Sequence, residues 1–134
     1  MAALPPETKR LVRIIGELHV KDFKVGKDLW EHDGFDQWIV VNPNSPSGEV
    51  VKKVESGDVT AELIVRITWN LDSSVNVKFT ANLFDELERV SRQENQFNVL
   101  RDGDLKWGGI HLVDHHGGDP DTADMSFTVI NSQQ

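Results

Sequence analysis

Val59-Thr60-Ala61-Glu62-Leu63-Ile64-Val65-Arg66-Ile67-Thr68-Trp69 alternates along its whole length. Successive side chains of an extended chain point to opposite faces. Val59, Ala61, Leu63, Val65, Ile67 and Trp69 therefore line a buried face, and Thr60, Glu62, Ile64, Arg66 and Thr68 the other. After the polar stretch Asn70-Leu71-Asp72-Ser73-Ser74 the period of two resumes, with Val75, Val77, Phe79, Ala81 and Leu83 set against Asn76, Lys78, Thr80 and Asn82. Two such runs around a short polar turn predict an antiparallel hairpin.

The same period extends outward in both directions. Val12, Ile14, Gly16, Leu18 and Val20 alternate in a strand over residues 11–21, and Gly16 within it predicts a bend or the close approach of another backbone. Asp22 to Gln37 breaks the alternation with Gly26, Gly34 and five acidic residues, and is expected to be an acidic loop. Trp38 to Val41 is a short strand, with Trp38 in the core, closed by the turn-forming stretch Asn42-Pro43-Asn44-Ser45-Pro46-Ser47-Gly48. Asp85 to Glu94 is charged, and Leu87 and Val90 allow a single helical turn. Strands over 96–101 and 105–113 flank Asp102-Gly103, a two-residue hairpin signal, and Gly108-Gly109 predicts a bulge. A last strand alternates Met125, Phe127 and Val129 with Asp124, Ser126 and Thr128.

About seven to eight short strands without a sustained helical period predict an all-β fold, an antiparallel β-sandwich of immunoglobulin-like or C2-like shape, with an antiparallel barrel as the alternative. The 134 residues suit one domain over 9–131, after a loose lead-in at 1–8 and before a tail at 132–134. The hydrophobic fraction of 38% suffices for one core. Cysteine is absent, which removes disulfides and thiolate chemistry, and Gly-x-Ser-x-Gly and Gly-rich phosphate motifs are absent too. Twenty-two acidic against fourteen basic side chains give a net charge of -8, which repels a phosphate backbone and argues against nucleic acid as a partner. The start carries neither the apolar run nor the basic lead of a secretory signal, and no segment is apolar enough to span a bilayer. A soluble, cytoplasmic protein is the expectation.

Asp114-His115-His116-Gly117-Gly118-Asp119-Pro120-Asp121-Thr122-Ala123-Asp124 crowds four carboxylates and two imidazoles between two strands. Like charges held this close repel unless a cation sits among them. Calcium takes about six to eight oxygen ligands, which an Asp- and Gly-rich loop can wrap to supply. Gly117-Gly118-x-x-Asp121 resembles a calcium-binding nonapeptide, but Pro120 stands where that repeat has glycine, and the single copy excludes a parallel β-helix. The competing reading is a polar turn whose aspartates cap backbone amides.

The second group of oxygen donors is Asp22, Asp28, Glu31, Asp33 and Asp36, with Asn70, Asp72, Asp102 and Asp104 as contributors from neighbouring turns. Simple reversal at each connection puts 22–37, 70–74 and 102–103 at one end, and 42–58, 84–95 and 114–123 at the other. The two acidic loops would then form separate sites. His111 and His115 raise a transition-metal alternative, because imidazole with carboxylate suits zinc, copper or nickel. Trp30 and Trp107 are candidates for stacking on a sugar or capping a peptide. The reading that follows is a non-enzymatic module that binds a divalent cation, calcium favoured, and an unidentified protein or carbohydrate partner. A sandwich binding carbohydrate or peptide through its tryptophans, and a metal-dependent hydrolase, are the alternatives.

Overall fold

The computed structural model describes residues 9–24, 27–114 and 120–133. Eight antiparallel strands succeed one another: β1 (Arg10–Lys24), β2 (Lys27–Val41), β3 (Ser47–Ser56), β4 (Val59–Trp69), β5 (Val75–Asp85), β6 (Glu88–Val99), β7 (Asp104–Asp114) and β8 (Asp121–Gln133). They form two four-stranded sheets in the orders β2-β1-β8-β7 and β3-β4-β5-β6. This is a β-sandwich of eight strands, and the barrel alternative gives way to two sheets.

The core is built by the residues whose alternation is legible. From β4 and β5, Ala61, Leu63, Val65, Ile67, Val75, Val77, Phe79, Ala81 and Leu83 are at most 1% exposed. Opposite them lie Val12, Ile14, Leu18 and Val20 of β1 and Phe127 and Val129 of β8. Phe79 meets Phe127 edge-on across the sheets, with ring centroids 5.5 Å apart. Gly16 marks a close approach: a Cβ built there would lie 2.7 Å from the Phe127 Cβ and 2.9 Å from its Cα. The Gly108-Gly109 bulge is present as a register shift between Trp107 and Ile110, with Gly109 at φ 75°.

Several expectations are corrected, most of them on edge strands. Asp22 to Gln37 is not a loop: β1 continues to Lys24 and pairs with β2 from Phe23↔Asp28 through to Arg10↔Val41. β2 is an edge strand and buries only Phe35 and Val41 among its described side chains, so charged residues occupy both of its faces and mask the period of two. Trp38 faces out, 53% exposed, with the Arg13 guanidinium 5.4 Å above its ring. β3, hidden after the proline-rich turn, buries the apolar side chains Val50 and Val54 alone. Asp85 to Glu94 is not a helical turn but the end of β5 and the start of β6, which runs on into the strand expected from Gln96, and Val99 is the only buried residue of β6. Asp102-Gly103 closes no hairpin, because β6 pairs with β5 and β7 with β8; the turn carries the chain from one sheet to the other.

Each missed strand reverses the direction of everything after it. The strand ends at which β1 gives way to β2, β3 to β4, β5 to β6 and β7 to β8 gather at one end, as bonds between them show. Asp58 N–H donates to Asp22 (3.0 Å), Glu86 N–H to the Asp58 carbonyl (2.6 Å), and Phe23 N–H to Asp121 Oδ1 (2.9 Å). The other end carries 42–46, 70–74 and 100–103. Asn131 there donates to the carbonyls of Ser73 and Leu100, and fully buried Arg10 donates to Asn131 Oδ1 at 2.8 Å. The expected separation of Asp22 from Asp114 and Asp121 is thus overturned: they share an end.

Candidate metal centre

Four strands deliver an aspartate to that shared end. Asp22 comes from the last turn of alternation in β1, Asp85 ends β5, Asp114 ends β7 and Asp121 begins β8. Strands of both sheets stop here together, so their terminal side chains converge although they lie far apart in sequence. Carboxylate oxygens of Asp85, Asp114 and Asp121 all lie within 4.8 Å of one another. Asp114 is 2% and Asp22 4% exposed, while Asp85 and Asp121 are half-buried. A cleft of about 370 Å³ opens on the group, lined by Asp85, Glu86, Glu88, Val90 and Asp114.

The electrostatics are those of crowded anions. Burial first, then the charges of Asp114 and Glu86, a hydrogen bond with Asp114 and the charge of Asp22, hold the Asp85 carboxyl above its ordinary range. Burial likewise raises Asp121. The Phe23 amide opposes that shift, and the charges of Asp22, Asp85 and Asp114 add to it. The second oxygen of Asp22 accepts the Asp58 amide, and a Cβ at Gly57, whose φ is +59°, would collide with this carboxylate. Glycine at 57 therefore leaves room for Asp22 as well as forming the turn.

The other oxygen donors go elsewhere. Asp33 binds the Lys52 ammonium at 2.7 Å, and that hydrogen bond holds its carboxyl below the usual range. Asp36 makes a two-pronged pair with Arg13 (2.8 and 2.5 Å), with the same effect. Glu31 is exposed on β2 and accepts the His32 amide. Asp124 projects from the outer face of β8 and lies 2.6 Å from His111 Nδ1. Asp72 caps Ser74 and Asp102 pairs with Arg10, both at the opposite end. The Asp28 side chain, His115 and Asp119 lie outside the described residues. Trp30 is 67% exposed, with the Lys21 ammonium 5.0 Å from its ring. Trp107 packs on the core instead, stacked on Phe97 and tilted against Phe79, both at 5.2 Å.

Asp85 is the member that sequence reasoning passes over. It sits in a charged stretch read as a helical turn, and only the pairing of β5 with β4, Val59↔Asp85, brings it to this end.

No protein-family model matches the chain, and no match to it is found among curated proteins. Among solved structures, the chain is similar over 93% of its length to the Salmonella SPI-1 type III secretion injectisome secretin InvG (residues 176-end, open gate state). Identity is 10%, the TM-score 0.37, and the match spans 58% of the secretin chain. A likeness at that level carries nothing about function.

Proposed function

We propose that this β-sandwich is a binding module for a divalent cation, calcium by preference, held at the end where Asp22, Asp85, Asp114 and Asp121 meet. The observation that carries the reading is the convergence of three carboxylates within 4.8 Å, two of them held above their ordinary range. A cation in their midst would offset the mutual repulsion and the desolvation together. The described donors here are oxygens alone, which suits a hard ion and not a soft one. An ion at this point would tie β1, β5, β7 and β8 across both sheets and so fix the loops beside it, the surface a protein or carbohydrate partner would meet.

The test is a thermal melt of metal-stripped protein with and without calcium. A rise with calcium, abolished by Asp114→Asn plus Asp121→Asn and retained by Asp33→Asn plus Asp36→Asn, supports the site. The absence of any shift at millimolar calcium overturns it. A second reading, carbohydrate or peptide binding by aromatic stacking, rests on exposed Trp30, since both Phe97 and Phe79 engage the Trp107 ring. Loss of glycan or peptide retention on Trp30→Ala, without loss of fold, would favour it.

A further inference from the structure

A row of histidines crosses the outer face of the first sheet, away from the aspartate end. The ladder register sets His32 of β2 beside His19 of β1, His19 beside Asp124 of β8, and Asp124 beside His111 of β7. Directly paired residues share a face. That face is the outer one, because the residues flanking the row, Leu18, Val20, Leu112, Ala123 and Met125, are buried. Four adjacent strands thus each place one metal-ligating side chain on a single line.

The contacts along this line are specific. The His19 and His32 rings stack with centroids 5.4 Å apart and planes 13° from parallel. His111 Nδ1 lies 2.6 Å from Asp124 Oδ1, and His19 Nε2 3.4 Å from Glu17 Oε2. The side chains of His19, His111 and Asp124 are 46%, 53% and 59% exposed, and His32 is exposed as well. Beside the row the Gly108-Gly109 bulge keeps bulk off β7, and a shallow hollow lies between Glu17, His19, Gly109, Asp124 and Ser126.

We propose that this row binds a borderline divalent transition ion, of the zinc, copper or nickel class, with His19 and His32 as the anchoring pair and Asp124 as a third ligand. Imidazole nitrogen with one carboxylate is the donor set such ions take in preference to calcium. Opposed residues on an antiparallel ladder have Cβ atoms about 5 Å apart, and metal–nitrogen bonds are about 2.0–2.1 Å long. The rings stack in the structure, and the ligand atoms of the row are not gathered within 4.8 Å of one another as those of the aspartate group are, so two neighbouring imidazoles reach one ion by turning a nitrogen of each toward it. Both rings are exposed and turn without disturbing the core, while the hydrogen-bonded ladder holds their backbones in place. His111 acts on the site through Asp124, orienting its carboxylate by the Nδ1 bond.

The site is independent of the calcium reading, and its test is arranged to show this. Tag-free full-length protein is titrated with zinc and with nickel by calorimetry in millimolar calcium, and melts of each variant without metal report folding. Wild type is expected to bind one ion. His19→Ala plus His32→Ala weakens binding about a hundredfold or more, and His111→Ala, which acts through Asp124, about tenfold. His115→Ala plus His116→Ala and Asp114→Asn plus Asp121→Asn leave it unchanged. Absence of binding by wild type up to millimolar zinc overturns the proposal. So does wild-type affinity in the folded His19→Ala, His32→Ala variant, or a loss that follows His115 and His116 instead.

Discussion

Asp85→Asn separates an ion site from a merely acidic end. The substitution keeps the shape of the side chain and its capacity to hydrogen-bond Asp114, and removes one charge. Two unit charges 4.8 Å apart, the outer limit of the separations in this cluster, repel by about 3.5 kcal/mol at an effective dielectric of about 20, and by about 0.9 kcal/mol in water. Asp85 is half-buried and shares a hydrogen bond with Asp114, so the relief lies toward the lower figure, about 1 kcal/mol. For a chain of this size that is about 3 to 4 °C in Tm. Metal-stripped Asp85→Asn is therefore expected to melt above metal-stripped wild type. With calcium the order reverses: wild type gains about 2.7 kcal/mol at a hundredfold excess over Kd, and the variant loses most of that gain. Differential scanning calorimetry in chelator and then in calcium reads both. A variant that melts lower than wild type without metal, and still shows the full calcium shift, would refute the reasoning.

Lowering pH should strengthen the aspartate end. Asp85 and Asp121 have raised folded-state values, so their contribution is fully present below the ordinary 3.8 and is lost as pH rises through the raised values. Asp33, Asp36, Asp72 and Asp102 are lowered and act oppositely, contributing above 3.8 and losing that contribution as pH falls through their lowered values. Metal-stripped wild type should therefore gain Tm as pH drops from neutrality toward the carboxylate range, and Asp85→Asn plus Asp121→Asn should flatten that gain in a pH series of melts. Arg10→Met at the opposite end strands Asn131 Oδ1 in the core and should cost about 2 to 3 kcal/mol in urea unfolding. Asp102→Asn, whose carboxylate is 59% exposed, should cost clearly less, and equal losses would contradict the buried network. Gly16→Ala drives a methyl into the backbone of β8 and should lower stability by about 1 to 3 kcal/mol, read from the urea midpoint.

The sequence by itself determined the β class and most of the core, because a strand buried on one face must write its apolar residues at every second position. Val59 to Trp69 and Val75 to Leu83 could be assigned to the interior for that reason, Gly16 to a close backbone approach, and Gly108-Gly109 to a bulge. Three of the edge strands, β2, β3 and β6, bury few side chains, and their charged residues hide the period, which is why Asp22 to Gln37 reads as a loop and Asp85 to Glu94 as a helical turn. Overlooking an edge strand changes more than its own residues, since in an antiparallel meander the count of strands decides which connections share an end. Only the tertiary structure joined Asp22 and Asp85 to Asp114 and Asp121, through strands of both sheets that stop together. It also placed His32, His19, Asp124 and His111 in one row, because that alignment depends on ladder register between distant segments, and register is set by hydrogen bonding and packing that no local pattern records.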